Sequence, residues 1–210
     1  VRVYAYKLIF IAIIIRKSAF LYRTIEKQDG PDIIYINCVQ REEIIVTMRN
    51  FDMLVKLYKL PGIHILDEKM VDADIRIFRP MASDKSKIAT YVRSNFSEAW
   101  ANEFEKAMGN NPVSCFIAVN QEGKLVGFSC YDASYRNFFG PIGVSEECRG
   151  LHVGKELLLY ALYAMRNEGY GYAIIGWSSE KNEPFYRKSS GAVEIPDSFP
   201  GIYQNALPDD

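Results

Sequence analysis

Histidine is nearly absent from this chain: His64 and His152 are the only two in 210 residues. That leaves too few imidazoles for a histidine-rich metal centre and argues against a nucleophile triad built on histidine. Cysteine is sparse as well. Cys38, Cys115, Cys130 and Cys148 show neither paired metal spacing nor the density of a disulfide framework. Cys115 and Cys130 sit in apolar, strand-like surroundings, where an inert buried thiol is expected. Charge of one sign is missing too. The 25 basic and 26 acidic residues leave a net charge of −1, without the basic surplus of a nucleic-acid surface. No apolar run approaches the roughly 18 residues of a membrane span. The expectations are therefore no metal, no nucleic acid, no membrane and a cytoplasmic location.

What the chain does have is 49% apolar residues, enough for one good core and for one domain or at most two. Its most informative stretch is Val144-Ser-Glu-Glu-Cys-Arg-Gly-Leu-His-Val-Gly-Lys155. Before it, Phe138-Phe139-Gly-Pro-Ile-Gly-Val144 reads as a buried strand. After it, Leu157, Leu158, Ala161, Leu162 and Met165 recur at helical spacing, and Gly169 supplies a stop. Strand, short glycine-containing loop and helix aim backbone N–H groups and a helix dipole at one point, which suits a phosphate. Arg149 and Lys155 add positive charge beside it. The spacing fits neither G-x-x-x-x-G-K-[ST] nor G-x-G-x-x-G.

Farther on, Tyr170-Gly-Tyr-Ala-Ile-Ile-Gly-Trp177 reads as a strand. It is followed by Asn182-Glu-Pro-Phe-Tyr-Arg-Lys188 and by Gly191-Ala-Val-Glu-Ile195. Pro184 suits a first helical turn, where its missing N–H is not needed.

Arg149-Gly-Leu-His-Val-Gly154 resembles the Arg/Gln-x-x-Gly-x-Gly/Ala signature of the GNAT family, the acetyl-CoA-dependent N-acetyltransferases. His152 stands where that family usually has glycine, and histidine tolerates a left-handed backbone better than most residues. The Asn182 and Phe185-Tyr186 segment resembles the family's second signature. Upstream, Ile75–Pro80, Asn111–Val119 and Lys124–Asp132 resemble the family's first three strands, the last two turned by Gln121-Glu-Gly123, and the likeness covers about residues 73–207. It implies an α/β (α+β) GNAT acyl-CoA N-acyltransferase fold, a mixed twisted sheet with helices on both faces, within residues 48–210.

The resemblance also implies a division of labour. Ile142, Gly143 and Val144 would pair with the pantetheine amides like an added strand; Pro141 and Gly143 suit a kinked or unpaired strand, with or without a ligand. Arg149, Gly150, Leu151, His152, Val153, Gly154 and Lys155 would hold the phosphates, and Asn182 and Phe185 would border the pantetheine arm. Asn182 could equally cap a helix. The Val144 N–H would polarise the carbonyl, and Tyr186 would protonate the departing thiolate, or else simply pack on a helix face.

No strand carboxylate stands near Asn137, Phe138 or Phe139 to act as base, which leaves Asp132 and Glu98 as candidates. The segment Asp84 to Asn110 would shape the acceptor pocket with Glu103 and Glu105. Its Phe96, Trp100 and Phe104 fall at i, i+4 and i+8 and read better as the core face of an ordinary amphipathic helix. The expected activity moves acetyl from acetyl-CoA to a primary amine on a small molecule or peptide, with a homodimer as one expected form. A catalytically silent acyl-CoA-binding regulatory domain is the alternative, and a purely structural partner-binding domain a third.

Residues 1–47 match nothing in that family. Leu8–Ile15 reads as a strand, a hydrophobic helix or a secretory core without a convincing cleavage site. Arg41-Glu42-Glu43 is what a purine-rich ribosome-binding site yields on translation, five codons before Met48. Residues 1–47 are therefore expected to be an extension of doubtful structure, with Met48 as the native start. Met53–Pro61 reads as a strand or short helix leading into the domain.

Overall fold

The computed structural model describes residues 49–61 and 74–207, with four two-residue strands nearer the N-terminus. The chain divides into two compact units, Val1–Thr47 and Met48–Asp210. In the first, Ile14–Ile15 pairs with Ser18–Ala19 and Tyr22–Arg23 with Asn37–Cys38, both antiparallel. The rest of the Leu8–Ile15 stretch, and residues 62–73 with His64, lie outside the described residues.

Among the described residues, the second unit is a seven-stranded mixed sheet with four α-helices. In chain order these are β1 (Asn50–Lys56), β2 (Arg76–Phe78), α1 (Lys85–Asn95), α2 (Glu98–Met108), β3 (Cys115–Val119), β4 (Leu125–Tyr131), β5 (Phe138–Val144), α3 (Val153–Asn167), β6 (Tyr172–Ser179), α4 (Glu183–Ser190) and β7 (Val193–Glu194). Across the sheet the order is β7-β1-β6-β5-β4-β3-β2. Only β5 and β6 run parallel.

Alternation along the strands divides the apolar residues between two cores. On one face Leu157, Leu158, Ala161, Leu162 and Met165 of α3 pack on Met53, Val55, Val126, Phe139, Ala173 and Ile175. All five helix residues are fully buried, as the 3.6-residue repeat requires. The buried Ser129 hydroxyl pins α3 to β4 by donating to the Leu157 carbonyl at 3.0 Å. On the other face α1 and α2 cover Cys115, Ile117, Phe128 and Cys130. Both expected inert thiols are buried here, and desolvation pushes Cys115 up to about 12.

Two expectations need revision. The helix anticipated across Phe96 to Phe104 is broken. α1 ends at Asn95, and Ser97 caps α2 by accepting the Trp100 N–H at 3.1 Å. The aromatic cluster survives the break, because Phe96, Trp100 and Phe104 all ring Phe128, at 5.5, 6.3 and 6.3 Å between centroids. The Met53 region, moreover, is no lead-in. It belongs to β1, an interior strand lying between β6 and β7, with Phe51, Met53 and Val55 at most 2% exposed. Alternate apolar residues at 51, 53 and 55 explain the strand.

Candidate functional site

The sheet opens between its two parallel strands. β5 and β6 pair only at Phe138↔Ile174 and Phe139↔Ile175. Gly140, next along β5, has φ of +129°, a conformation that side-chain-bearing residues avoid. On β6 the pairing with β1 slips between Ile175 and Ser178, and Trp177 takes a left-handed φ of +47°. A one-residue excess of this kind bends a strand and increases its twist. Both strands thus change course just beyond their last shared pair.

Ladder parity decides which backbone groups face the opening. Ser145 donates its N–H to the Val126 carbonyl at 2.8 Å, and the register pairs Gly127 with Val144, Phe128 with Gly143 and Ser129 with Ile142. Alternate residues of an antiparallel strand turn their N–H and C=O to opposite sides. Gly143 therefore bonds to β4, whereas Ile142 and Val144 turn their peptide groups toward β6. Gly143 owes its lack of a side chain to packing: a Cβ there would collide with the Phe96 ring.

At the end of β5 a short 3-10 turn, Glu146–Cys148, leads into Arg149, Gly150 and Leu151. His152 then takes the left-handed conformation, φ 62° and ψ 8°, at the N-cap of α3. The first intrahelical bond runs from Glu156 N–H to His152 C=O at 3.1 Å, so the N–H groups of the preceding turn have no carbonyl within the helix. Val153 is a buried anchor, 1% exposed. Gly154 faces the opening, where an added Cβ would stand 3.6 Å from Val144 Cγ2 and 3.7 Å from Phe185 Cζ. Arg149 is exposed and reaches Glu146 at 3.2 Å, while Lys155 lies 3.7 Å from Glu156.

α4 closes the third side. Asn182 sits at its N-cap position without a side-chain cap bond and is exposed, so the capping use of this asparagine is not made. Pro184 lies in the first turn. The Tyr186 ring is buried against Phe185 and Phe139, with centroids 5.0 and 6.4 Å away. Burial alone pushes its hydroxyl up to about 12, which keeps it protonated at neutral pH. The structure therefore brings Val144, Gly154 and Phe185 together, with Tyr186 buried in the core beside Phe185.

The two carboxylates considered as bases are occupied elsewhere. Asp132 accepts the Asn137 N–H at 2.6 Å and the Tyr170 hydroxyl at 2.7 Å, bracing the turn before β5. Glu98 pairs with Arg93 at 2.6 Å at the surface.

A second group lies on the α2 face of the sheet: Glu103, already expected on the acceptor side, and Asp52, which sequence reasoning passed over. Asp52, 7% exposed, accepts the Trp177 N–H at 2.9 Å. Its own N–H donates to Ser198 Oγ at 2.7 Å, and its carbonyl accepts from Ile195 N–H at 2.9 Å. Desolvation raises its pKa. The signal was an aspartate inside the apolar run Asn50-Phe-Asp-Met-Leu-Val55, which a buried strand accepts only with partners. Glu103 of α2, half-buried, accepts from Ser134 Oγ, and burial raises its pKa as well.

The acetyltransferase (GNAT) family model matches residues 81–192, just over half of the chain. No curated protein matches it. Among solved structures it is similar to the GCN5-related glucosamine N-acetyltransferase region of a fungal multi-domain GH3 beta-N-acetylglucosaminidase, with TM-score 0.57, 13% identity, and coverage of 70% of this chain and 20% of that one. It is also similar to a GCN5-related N-acetyltransferase from Sphaerobacter thermophilus, with TM-score 0.52, 19% identity, and coverage of 70% and 49%. A third, from Kribbella flavida, has TM-score 0.50, 16% identity, and coverage of 70% and 55%. At these identities the likeness shows the fold, and the chain spans 20% to 55% of those three proteins. With the family model matched over more than half its length and the sheet and helices of that fold in place, this chain belongs to the GNAT acetyltransferase family, whose membership supports acyl-CoA-dependent acetyl transfer in general.

Proposed function

We propose that the protein is an N-acetyltransferase that moves the acetyl group of acetyl-CoA to a primary amine by direct attack in a ternary complex. The observation that carries this reading is the opening between β5 and β6, with the peptide groups of Ile142 and Val144 turned into it. An extended pantetheine arm has amides of the right kind to complete such an interrupted ladder. The start of α3 supplies N–H groups and a favourable dipole end for the pyrophosphate, helped by Arg149 and Lys155.

The chemistry follows from those positions. The amine lone pair attacks the thioester carbon, the carbon–nitrogen bond forms, and charge collects on the carbonyl oxygen, which the Val144 N–H stabilises. As the carbon–sulfur bond breaks, its electron pair goes to sulfur, and the Tyr186 hydroxyl offers a proton. A thiol resembling free cysteine has a pKa of roughly 8.5. A phenol held at about 12 is therefore a reluctant donor, and Tyr186 gives only modest help. The proton lost by the amine leaves through water or a nearby carboxylate.

One observation favours a second reading, a silent acyl-CoA-binding regulatory domain: Asp132 and Glu98 are both committed to other partners. Calorimetry with acetyl-CoA, followed by free-thiol release across an amine panel that includes glucosamine, tests both. Coenzyme binding with amine-dependent thiol release supports the enzyme. Binding without release supports the silent domain, and no binding rejects both.

A further inference from the structure

The residues matched by the family model end at 192, yet the segment from Ile195 to Tyr203 folds back onto β1 and onto β6 at Gly176 and Trp177. Two of its residues hold it to β1: Ile195 N–H bonds to the Asp52 carbonyl, and Ser198 Oγ accepts the Asp52 N–H. The 3-10 turn Gly201–Asn205 then carries Tyr203 onto β6 at Gly176. A Cβ on Gly176 would collide with Tyr203 Oη and would stand 2.9 Å from Phe138 Cδ1. Phe138 and Ile174 form one of the last two β5–β6 pairs. The Tyr203 hydroxyl is therefore lodged at the fork where the strands part, on the face opposite α3.

The surroundings of this hydroxyl are acidic and aromatic. Desolvation raises its pKa, and the nearby carboxylates of Glu103 and Asp52 raise it further, while Ser134 acts the other way. Ser134 also donates to Glu103, so hydroxyl, hydroxyl and carboxylate stand in series. The Trp177 ring lies 4.7 Å from Tyr203 and 5.8 Å from Phe199. Trp177 and Phe199 are 50% and 49% exposed, forming an aromatic ledge open to solvent. No lysine, arginine or histidine among the described residues pairs with Glu103 or Asp52. A half-buried carboxylate without a cation, beside exposed aromatic faces, suits a protonated amine.

We propose that the Ile195–Leu207 segment is the acceptor wall of the acetyl-transfer cleft, with Tyr203 and Glu103 holding a protonated primary amine carried on an apolar, aromatic-sized stem. Asp52 is a positioning residue: it fixes both the Trp177 bulge and the returning segment. Glu103 takes the ammonium proton before attack. The ledge of Trp177 and Phe199 receives the stem, and its two half-exposed rings favour an apolar group over a polyhydroxylated acceptor such as an amino sugar. This assignment rests on the acetyl-transfer reading above for its chemistry, whereas binding of the amine is independent of it.

The test uses the full chain and two separate titrations. Calorimetry with acetyl-CoA reports the coenzyme side, and calorimetry with phenethylamine, with glucosamine as the hydroxylated control, reports the acceptor side. The parent should bind phenethylamine more tightly than glucosamine. Glu103→Gln keeps an acceptor for Ser134 but loses the charge, and should weaken phenethylamine binding by about 10- to 100-fold, the loss of one charge-assisted hydrogen bond. Tyr203→Ala should weaken it by about tenfold or more, and both variants should bind acetyl-CoA as the parent does. Parent-like phenethylamine binding by both variants, tighter glucosamine binding, or no phenethylamine binding by a parent that binds acetyl-CoA would each overturn the proposal. Loss of acetyl-CoA binding in every form, with the phenethylamine response intact, would reject the acetyl-transfer reading and leave the amine site standing.

Discussion

Asp52 Oδ1 accepts the Trp177 N–H at 2.9 Å across 125 residues of chain, tying the most N-terminal strand of the sheet to the bulge beside the cleft. Removing that acceptor leaves a part-buried peptide N–H without its partner, at a cost toward the lower end of about 1–3 kcal/mol. Asp52→Ala should lose about that much stability in urea unfolding, whereas Asp52→Asn, which keeps an oxygen in place, should lose less. Equal losses for the two would show that the carboxylate does not act through this bond.

Gly154 allows a sharper distinction than its position in a motif suggests. Its nearest neighbours would stand at 3.6 and 3.7 Å from an added Cβ, ordinary contact distances, so Gly154→Ala should fold normally and gain up to about 1 kcal/mol of helix propensity. Gly154→Val sends two further carbons toward Val144, Phe185 and the phosphate approach. Acetyl-CoA affinity should survive the first change and fall at least tenfold with the second, by calorimetry. If both variants bind as the parent does, the coenzyme lies elsewhere.

His152 holds a left-handed backbone at φ 62°. Histidine accepts this conformation with some strain, glycine without it, and a β-branched residue poorly. His152→Gly should change stability by less than about 1 kcal/mol, because relief of strain offsets added freedom in the unfolded chain. His152→Val should cost about 1–2 kcal/mol more. Thermal melts of the two variants side by side provide the check.

Tyr186→Phe keeps the ring and its contacts with Phe139 and Phe185 while removing the hydroxyl. Positioned acids contribute roughly 10²–10⁴ in rate, and a donor held at about 12 puts the expected fall in turnover at about 10²-fold or less. Acetyl-CoA affinity should be unchanged. A pH experiment adds a second readout. The folded pKa lies above the unfolded value of 10, so between pH 10 and 12 the unfolded chain releases its proton first, and stability falls as pH rises. The parent should lose up to about 3 kcal/mol more than Tyr186→Phe across that window, each pKa unit corresponding to roughly 1.4 kcal/mol. Parallel pH–stability curves would remove Tyr186 as the source.

Much of the geometry proposed for the coenzyme was legible because it is written locally. The loop 149–154, the apolar repeat of α3 and the Phe185-Tyr186 pair each occupy one short stretch, and each lies where its spacing placed it. β5, read as Phe138–Val144, has those bounds in the structure, and the direction of the Val144 peptide group follows from register once the neighbours are known. The proposed acceptor side was legible only in part: Glu103 stood in the segment expected to shape the amine pocket, whereas Asp52, Ser134, Trp177 and Tyr203 were not singled out. Asp52, Glu103, Ser134, Trp177 and Tyr203 come from five separate segments, and no periodicity links them. The place of β1 was hidden for a related reason: seven alternating residues specify a strand but not its neighbours. The break at Phe96–Ser97 was available in principle, since Ser97 followed by Glu98 at the head of a helical run is a start signal.

The position of β1 also sets a timetable for assembly. Lys56 pairs with Tyr172 and Asn50 with Ser179, so the strand cannot find its main partner until well over a hundred further residues have been synthesised. Closing a loop of that length costs only slightly more entropy than closing a shorter one, but it delays the contact and slows folding. Until β6 emerges, Phe51, Met53 and Val55 have no sheet to enter, and once it emerges β6 presents an open edge until β1 docks. A nascent chain therefore carries an exposed apolar strand at one end and, later, an unfilled strand edge at the other, a combination prone to pairing between molecules. The pairing of β1 with β6 also sets Asp52 under the Trp177 bulge and creates the edge on which β7 pairs, so the proposed acceptor side cannot form before those two distant strands meet.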